Sequence, residues 1–262
     1  MNFDDIPMWL LFVVTTLLVV GAIELGYLVG KAAHRRSEDE KESPVSAIAG
    51  TVLALLAFIL AFTFGIVSNK YDSRRELVRD QAAAIRTAYT RSDFLPEPSR
   101  DESKVLYNEY IALVIEAADP DNVDSLPQLI SDAQAIQTQL WDMAVANVRA
   151  GDNSDISAMY VDSLNEMSNV LATRIAISLQ ARMPTELWYV LYGLIALGMI
   201  AVGYQTAIAA SRRSWIMVIM ALSFAIVITV IAALDDPERG YIEVSQQPLT
   251  DLQAQMQQSA QP

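Results

Sequence analysis

Four apolar runs, each about as long as a bilayer's hydrocarbon core is thick, constrain this chain more than any other feature. Met8–Gly30 holds one charge, Glu24; Val45–Val67 holds none; Leu187–Ala210 and Trp215–Leu234 complete the set. A helix rises about 1.5 Å per residue, so ~20 apolar residues cross a core about 30 Å thick. In lipid every backbone N–H and C=O must be satisfied within its own segment, so each run is expected to be a helix. Trp9, Tyr27, Trp188, Tyr189, Tyr204 and Trp215 stand where interfacial aromatic belts fall. The leading segment MNFDDIP is acidic where a secretory signal needs basic residues, so the first run is expected to remain as an anchor.

Composition narrows the function. Hydrophobic residues make up 53% of the 262 and charged residues 19%, with the apolar surplus held in the four runs. A net charge of −13 disfavours a nucleic-acid partner, which needs basic surface. The chain has no cysteine, which excludes disulfides, thiolate nucleophiles and cysteine–zinc sites. His34 is the single histidine and lies in the charged run KAAHRR, so it is expected to be solvated or at headgroup level. A multi-histidine zinc site is therefore impossible. No nucleophile–base pair or metal-ligand spacing appears, so neither catalytic residues nor a cofactor nor a metal is expected, and an enzyme is not the expected class.

The expected fold class is all-α: four transmembrane helices with an antiparallel helical bundle inserted between the second and third. Residues 1–67 form the first membrane pair, 68–185 the extramembrane domain, 186–234 the second pair and 235–262 a tail. Val78, Ala82, Ile85 and Tyr89 recur at helical spacing, and no proline or glycine interrupts Ile66 to Leu95, so the second span is expected to continue as one long helix until Pro96 and Pro98. Ser99 with Glu102 matches a capping box for a helix with the stripe Leu106, Tyr110, Leu113, Ala117. A third helix starts near Ser125, with Pro127 in its first turn, and carries Leu129, Ala133, Ile136, Leu140 and Met143 to a stop at Gly151. A fourth carries Ile156, Met159, Leu164, Met167, Leu171 and Ile175 before Pro184. DPDNVD (119–124) and DNSD (152–155) lack the twelve-residue calcium-loop pattern and are read as helix-capping turns.

Loop charge bears on orientation. Lys31, Arg35, Arg36 and Lys41 lie between spans one and two, and Arg212 and Arg213 between three and four, against Arg239 near a span on the other side. Basic short loops stay cytoplasmic, which puts both termini and the 68–185 domain outside. Lys70, Arg74, Arg75 and Arg79, close after span two, pull the other way.

Three features invite a functional role. Glu24 is costly in lipid, ~2.5–3.5 kcal/mol on insertion scales, so it needs protein or water and a partner. It is either an ion or proton site or an interhelical hydrogen-bonding group, and it adjoins Gly26-x-x-x-Gly30, a small face for close helix packing. Leu55, Phe58 and Phe62 share one face of the second span; around an axis they would form a dewetting constriction, and in a monomer they would face lipid or packing partners. Lys70 and Arg74, four residues apart, would form a basic mouth, or else pair locally with Asp72 and Glu76.

The segments AGTVLALLAFILAFTFGIVSNKYDSRRELV (49–78) and TAYTRSDFLPEP (87–98), with ELGYLVG (24–30), GYQTAI (203–208) and LDDPERGYIEVSQQPL (234–249), resemble the bestrophin-like domain family of bacterial membrane proteins over nearly the whole chain. The chain departs from the family pattern at Gln81 and Ala83, where an acidic residue and asparagine are usual, at Arg86, where glycine is usual, and at Asp236, where arginine is usual. The resemblance implies a likeness to bestrophins: oligomeric anion channels with this layout and an apolar constriction on the second span, which Leu55, Phe58 and Phe62 would match. It also implies a cytosolic helical domain, against the loop-charge reading. The expectation is thus a homo-oligomer in the lipid bilayer of a bacterial inner membrane, passing small ions, more readily anions. A membrane-anchored sensor or scaffold whose helical domain binds a partner is the competing class.

Overall fold

A computed structural model describes residues 7–36, 42–151, 154–180, 183–209, 215–236 and 242–259. The described residues are helical, with no strand among them, and four helices are long and apolar enough to cross a membrane. In chain order they are α1 (Met8–Arg36), α2 (Glu42–Arg91), α3 (Ser99–Glu116), α4 (Leu126–Arg149), α5 (Asp155–Gln180), α6 (Thr185–Ile208), α7 (Trp215–Asp235) and α8 (Gln247–Ser259). Lys41, Arg212, Arg213, Arg239, Asp152 and the first six residues lie outside the described set.

The chain divides into two compact units, Met1–Tyr71 with Arg182–Ile242, and Asp72–Ala181 with Glu243–Pro262. The division falls within α2, which runs unbroken through it.

In the first unit, α1 packs on α6 and α7. The tightest contact is backbone on backbone. A Cβ added at Gly26 would fall on the Ile200 carbonyl, and one at Gly203 on the Ile23 carbonyl; at Gly30 it would come 2.8 Å from the Tyr204 carbonyl oxygen. Gly26-x-x-x-Gly30 is therefore a true packing face, completed by Gly203 of α6. Apolar tails drive no association within apolar lipid, so close van der Waals packing of small residues has to do so. Contacts of residues 15, 26 and 30 advance along α6 through Tyr192, Ile200 and Tyr204, so the two helices run parallel. Conversely, α2 runs antiparallel to α6: Gln205 Nε2 donates to Ser46 Oγ at 2.9 Å, while Leu56 and Val52 contact Gly198. Trp188, expected in an interfacial belt, is buried and packs on Tyr192 with ring centroids 6.4 Å apart. His34, expected in a solvated setting, is partly buried, and its Nδ1 has no hydrogen-bond partner.

The second unit closes on its own core, from the later half of α2 and from α3, α4, α5 and α8. The α2 stripe Val78, Ala82, Ile85 and Tyr89 is buried as expected, as are Leu129, Ala133, Ile136 and Leu140 of α4. The α2 helix gives way at Arg91 to a tight 3-10 turn, Ser92–Phe94. Ser99 is not a cap: it is the first residue of α3, and its hydroxyl donates to Asn147 Oδ1 at 3.1 Å. The buried face of α3 is Tyr107, Tyr110, Ile111 and Val114, rotated from the expected stripe, whose Leu106 and Leu113 lie at the margin. In α5 the first turns differ too. Ile156 and Met159 are exposed, and Tyr160 takes the core position, its hydroxyl 3.1 Å from that of Tyr107. Aromatic rings fill this core where periodicity favoured aliphatic neighbours. At the end of α4, Gly151 adopts φ +109°, a conformation that costs glycine no Cβ clash. The DPDNVD segment, expected to be a capping turn, is a short 3-10 helix, Pro120–Ser125, capped by Asp119, whose Oδ1 accepts from the Asp121 N–H at 3.0 Å.

Candidate functional site

In its membrane portion α2 buries one narrow stripe, Ala49, Leu56, Leu60 and Val67, against its own chain. The opposite face is apolar, uncharged and open. Leu55 is 52% exposed, Phe58 65% and Phe62 62%. At about 100° per residue these three lie on the far side of the helix from the buried stripe. An exposed apolar face on a span is natural against lipid. Two phenylalanines one turn apart, on the span that buries least of itself, also suit a close approach of several copies.

Lys70 and Arg74 do not continue that face. They sit about 80–160° round the helix from Phe58 and Phe62, toward the buried side. Arg74 is buried. Lys70 Nζ lies 3.2 Å from Asp235 Oδ1, at the end of α7. Lys70 thus takes a partner far away in sequence and not Asp72 or Glu76. The Asp235 carboxylate is buried and does double duty, accepting the Met183 backbone N–H at 2.9 and 3.1 Å on its two oxygens. One carboxylate therefore ties α2, the end of α7 and the segment leading into α6. Sequence reasoning missed this node, because the only signal was the DD pair in the tail motif. Glu24 is partly buried on α1 beside the Gly26 packing face and is not without a partner.

A second polar centre lies inside the other unit. The Arg174 guanidinium of α5 donates to Gln81 Oε1 of α2 and, at 2.9 Å, to Gln246 Oε1 just before α8. Among the described residues no carboxylate pairs with it, and Tyr110 is the one titratable side chain that acts on it. Burial lowers its pKa to about 10, which still leaves it charged at neutral pH. Taking such an ion out of water costs several kcal/mol unless partners restore it, and here the partners are neutral amides. Burial pushes the Tyr110 phenol up to about 12, against the pull of Gln81, Gln137 and the Arg174 charge. Gln137 Nε2 donates to the Tyr110 hydroxyl at 2.9 Å. Gln81 is fully buried, and its Nε2 has no hydrogen-bond partner. Among the described residues no group of three or more His, Cys, Asp or Glu is placed to hold a metal.

These features define a multi-pass helical membrane protein with a helical unit between its second and third spans. The chain belongs to the Bestrophin-like domain family, whose model matches residues 8–249. A bacterial bestrophin homologue from Klebsiella pneumoniae shares the fold, with a TM-score of 0.70 at 14% identity over 97% of this chain and 99% of that one. Another variant of that homologue aligns with a TM-score of 0.65 at 14% identity over 95% and 96%. A crystal structure described only as a membrane protein aligns with a TM-score of 0.68 at 13% identity over 97% and 99%. A search of curated proteins finds no match.

Proposed function

We propose that copies of this chain assemble around an axis with α2 innermost, forming a channel-like pore for small ions, anions in preference to cations. One observation carries the reading: the uncharged face of Leu55, Phe58 and Phe62, which α2 leaves open in its own chain. Ringed by copies of itself, that face makes a dry neck, where an ion must shed hydration. Membership of the Bestrophin-like family supports the same architecture. We read the second unit as an antiparallel bundle inserted between the membrane pairs, and the protein as resident in a bacterial inner membrane.

Lys70 and Arg74, on the flank of α2 turned away from that face, reach the mouth only through their long-range positive potential. The Lys70–Asp235 ion pair cancels part of it, and Asp72 and Glu76 are exposed in the same turns, so anion preference is modest. Reconstitution in liposomes with a chloride gradient tests the proposal. Chloride flux with a weakly anion-selective reversal potential supports it. A strongly cation-selective current overturns the assignment of the mouth, and an impermeable protein overturns the pore.

The short-loop charges support both termini and the second unit on the extracytoplasmic side. The family likeness favours the opposite orientation. Labelling at residue 154 decides between them, as set out below.

A further inference from the structure

The polar centre around Arg174 has more donors than acceptors. Arg174 carries five N–H groups and uses one on Gln81 and one on Gln246. Gln81 has spent its carbonyl on Arg174, and its buried Nε2 faces the Tyr110 hydroxyl without completing a well-formed hydrogen bond. The Tyr110 hydroxyl accepts from Gln137, and among the described residues no acceptor takes its own proton. These groups converge, since both Gln81 and Arg174 act on the Tyr110 phenol. A partly buried cation, an amide donor without a well-formed hydrogen bond and a hydroxyl proton without an acceptor, with no carboxylate paired to them among the described residues, lack one thing, which is negative charge.

We propose that this cluster binds a small inorganic anion of the size and charge of chloride, held by Arg174, the Gln81 amide and the Tyr110 hydroxyl. The site lies wholly within the second unit and is separate from the α2 neck. It does not depend on whether the protein conducts. Bound there, the anion neutralises the guanidinium, completes the polar layer and strengthens the Arg174 link that joins α2, α5 and the segment before α8. Halide concentration would thereby set how firmly that segment is held.

The test is thermal unfolding of the purified full chain in detergent, in sodium chloride or bromide against sodium gluconate at equal ionic strength. A ligand that binds only the folded state raises Tm, by about 3–6 °C at a tenfold excess over its Kd for a chain of this size. The wild type should show that gain in chloride and bromide. Gln81→Glu places a carboxylate beside the guanidinium, so it should raise Tm in gluconate and abolish the halide gain. Arg174→Gln should also lose the gain; if it fails to fold, Gln81→Glu decides alone. Crystals grown in bromide should show an anomalous peak beside Arg174. A wild-type Tm indifferent to halide overturns the site. So does a halide gain that survives in either variant, or a Gln81→Glu chain less stable than wild type in gluconate.

Discussion

Asp235 is the node of the membrane unit, and a double-mutant cycle with Lys70 measures its worth. The carboxylate is 8% exposed and the Lys70 side chain 22%, with 3.2 Å between them. A charge-assisted hydrogen bond contributes about 1.5–3 kcal/mol, and breaking a buried pair by removing one partner costs about 3–5 kcal/mol. Lys70 keeps some contact with its surroundings, so the lower range applies to it. Asp235→Ala also strands the Met183 N–H, which both carboxylate oxygens accept; we expect a loss of about 3–4 kcal/mol. Asp235→Asn retains an acceptor for that N–H and should lose about 1.5–2 kcal/mol. Lys70→Met removes the pair alone and should cost about 1–2 kcal/mol. In Lys70→Met/Asp235→Asn the pair is lost once, not twice, so the coupling should be about 1–1.5 kcal/mol. The assay is reversible unfolding in detergent, or Tm converted through the measured unfolding enthalpy. Losses that add to within about 0.3 kcal/mol would show that the two residues do not interact, and the argument for the node would fail.

Other predictions follow from single contacts. Gly203→Ala drives a methyl into the Ile23 carbonyl, whereas Gly21→Ala meets nothing within 4 Å; the first should cost more than about 2 kcal/mol and the second under about 0.5 kcal/mol in the same unfolding assay. If Glu24 serves as an interhelical hydrogen-bonding group, Glu24→Gln should keep wild-type thermal stability and Glu24→Leu should lose several degrees; equal stability of Leu and wild type removes that role. A cysteine placed at Ser154, exposed at the start of α5, should react with a membrane-impermeant maleimide in intact spheroplasts; reaction only after lysis puts the helical unit in the cytoplasm.

The sequence was most informative where a physical demand leaves few solutions. Spanning lipid requires about twenty apolar residues, so the four membrane helices were plain, and Gly26 and Gly30 announced a close contact because little else explains paired glycines in a span. The partner glycine, Gly203, stood unread inside a motif, since only the fold shows which backbone it meets. Faces were harder. Leu106 and Tyr107 are adjacent, either starts an acceptable stripe on α3, and packing of aromatic rings chose Tyr107. The helix α8 was missed because Leu249, Leu252 and Met256 are its only core-facing residues in a glutamine-rich tail. The ion pair of Lys70 was invisible for a different reason: its partner is 165 positions away, while acidic neighbours stood within a turn or two. The Arg174 centre likewise joins α2, α5 and the tail, which no local pattern connects.

The central claim is that α2 lines a pore whose narrowest part is the layer of Phe58 and Phe62. Ion flux through purified protein in planar bilayers, wild type against Phe58→Ala/Phe62→Ala, tests it most directly. Removing both rings widens and wets the neck, so the double variant should conduct several times more than wild type, with little change in reversal potential. Arg74 lies more than ~15 Å along the helix from either ring, so Arg74→Glu should shift the reversal potential toward cations and leave that gain intact. Absence of flux from both wild type and the double variant would contradict the claim, and the helical unit would then be read as the partner-binding part of a membrane-anchored sensor or scaffold.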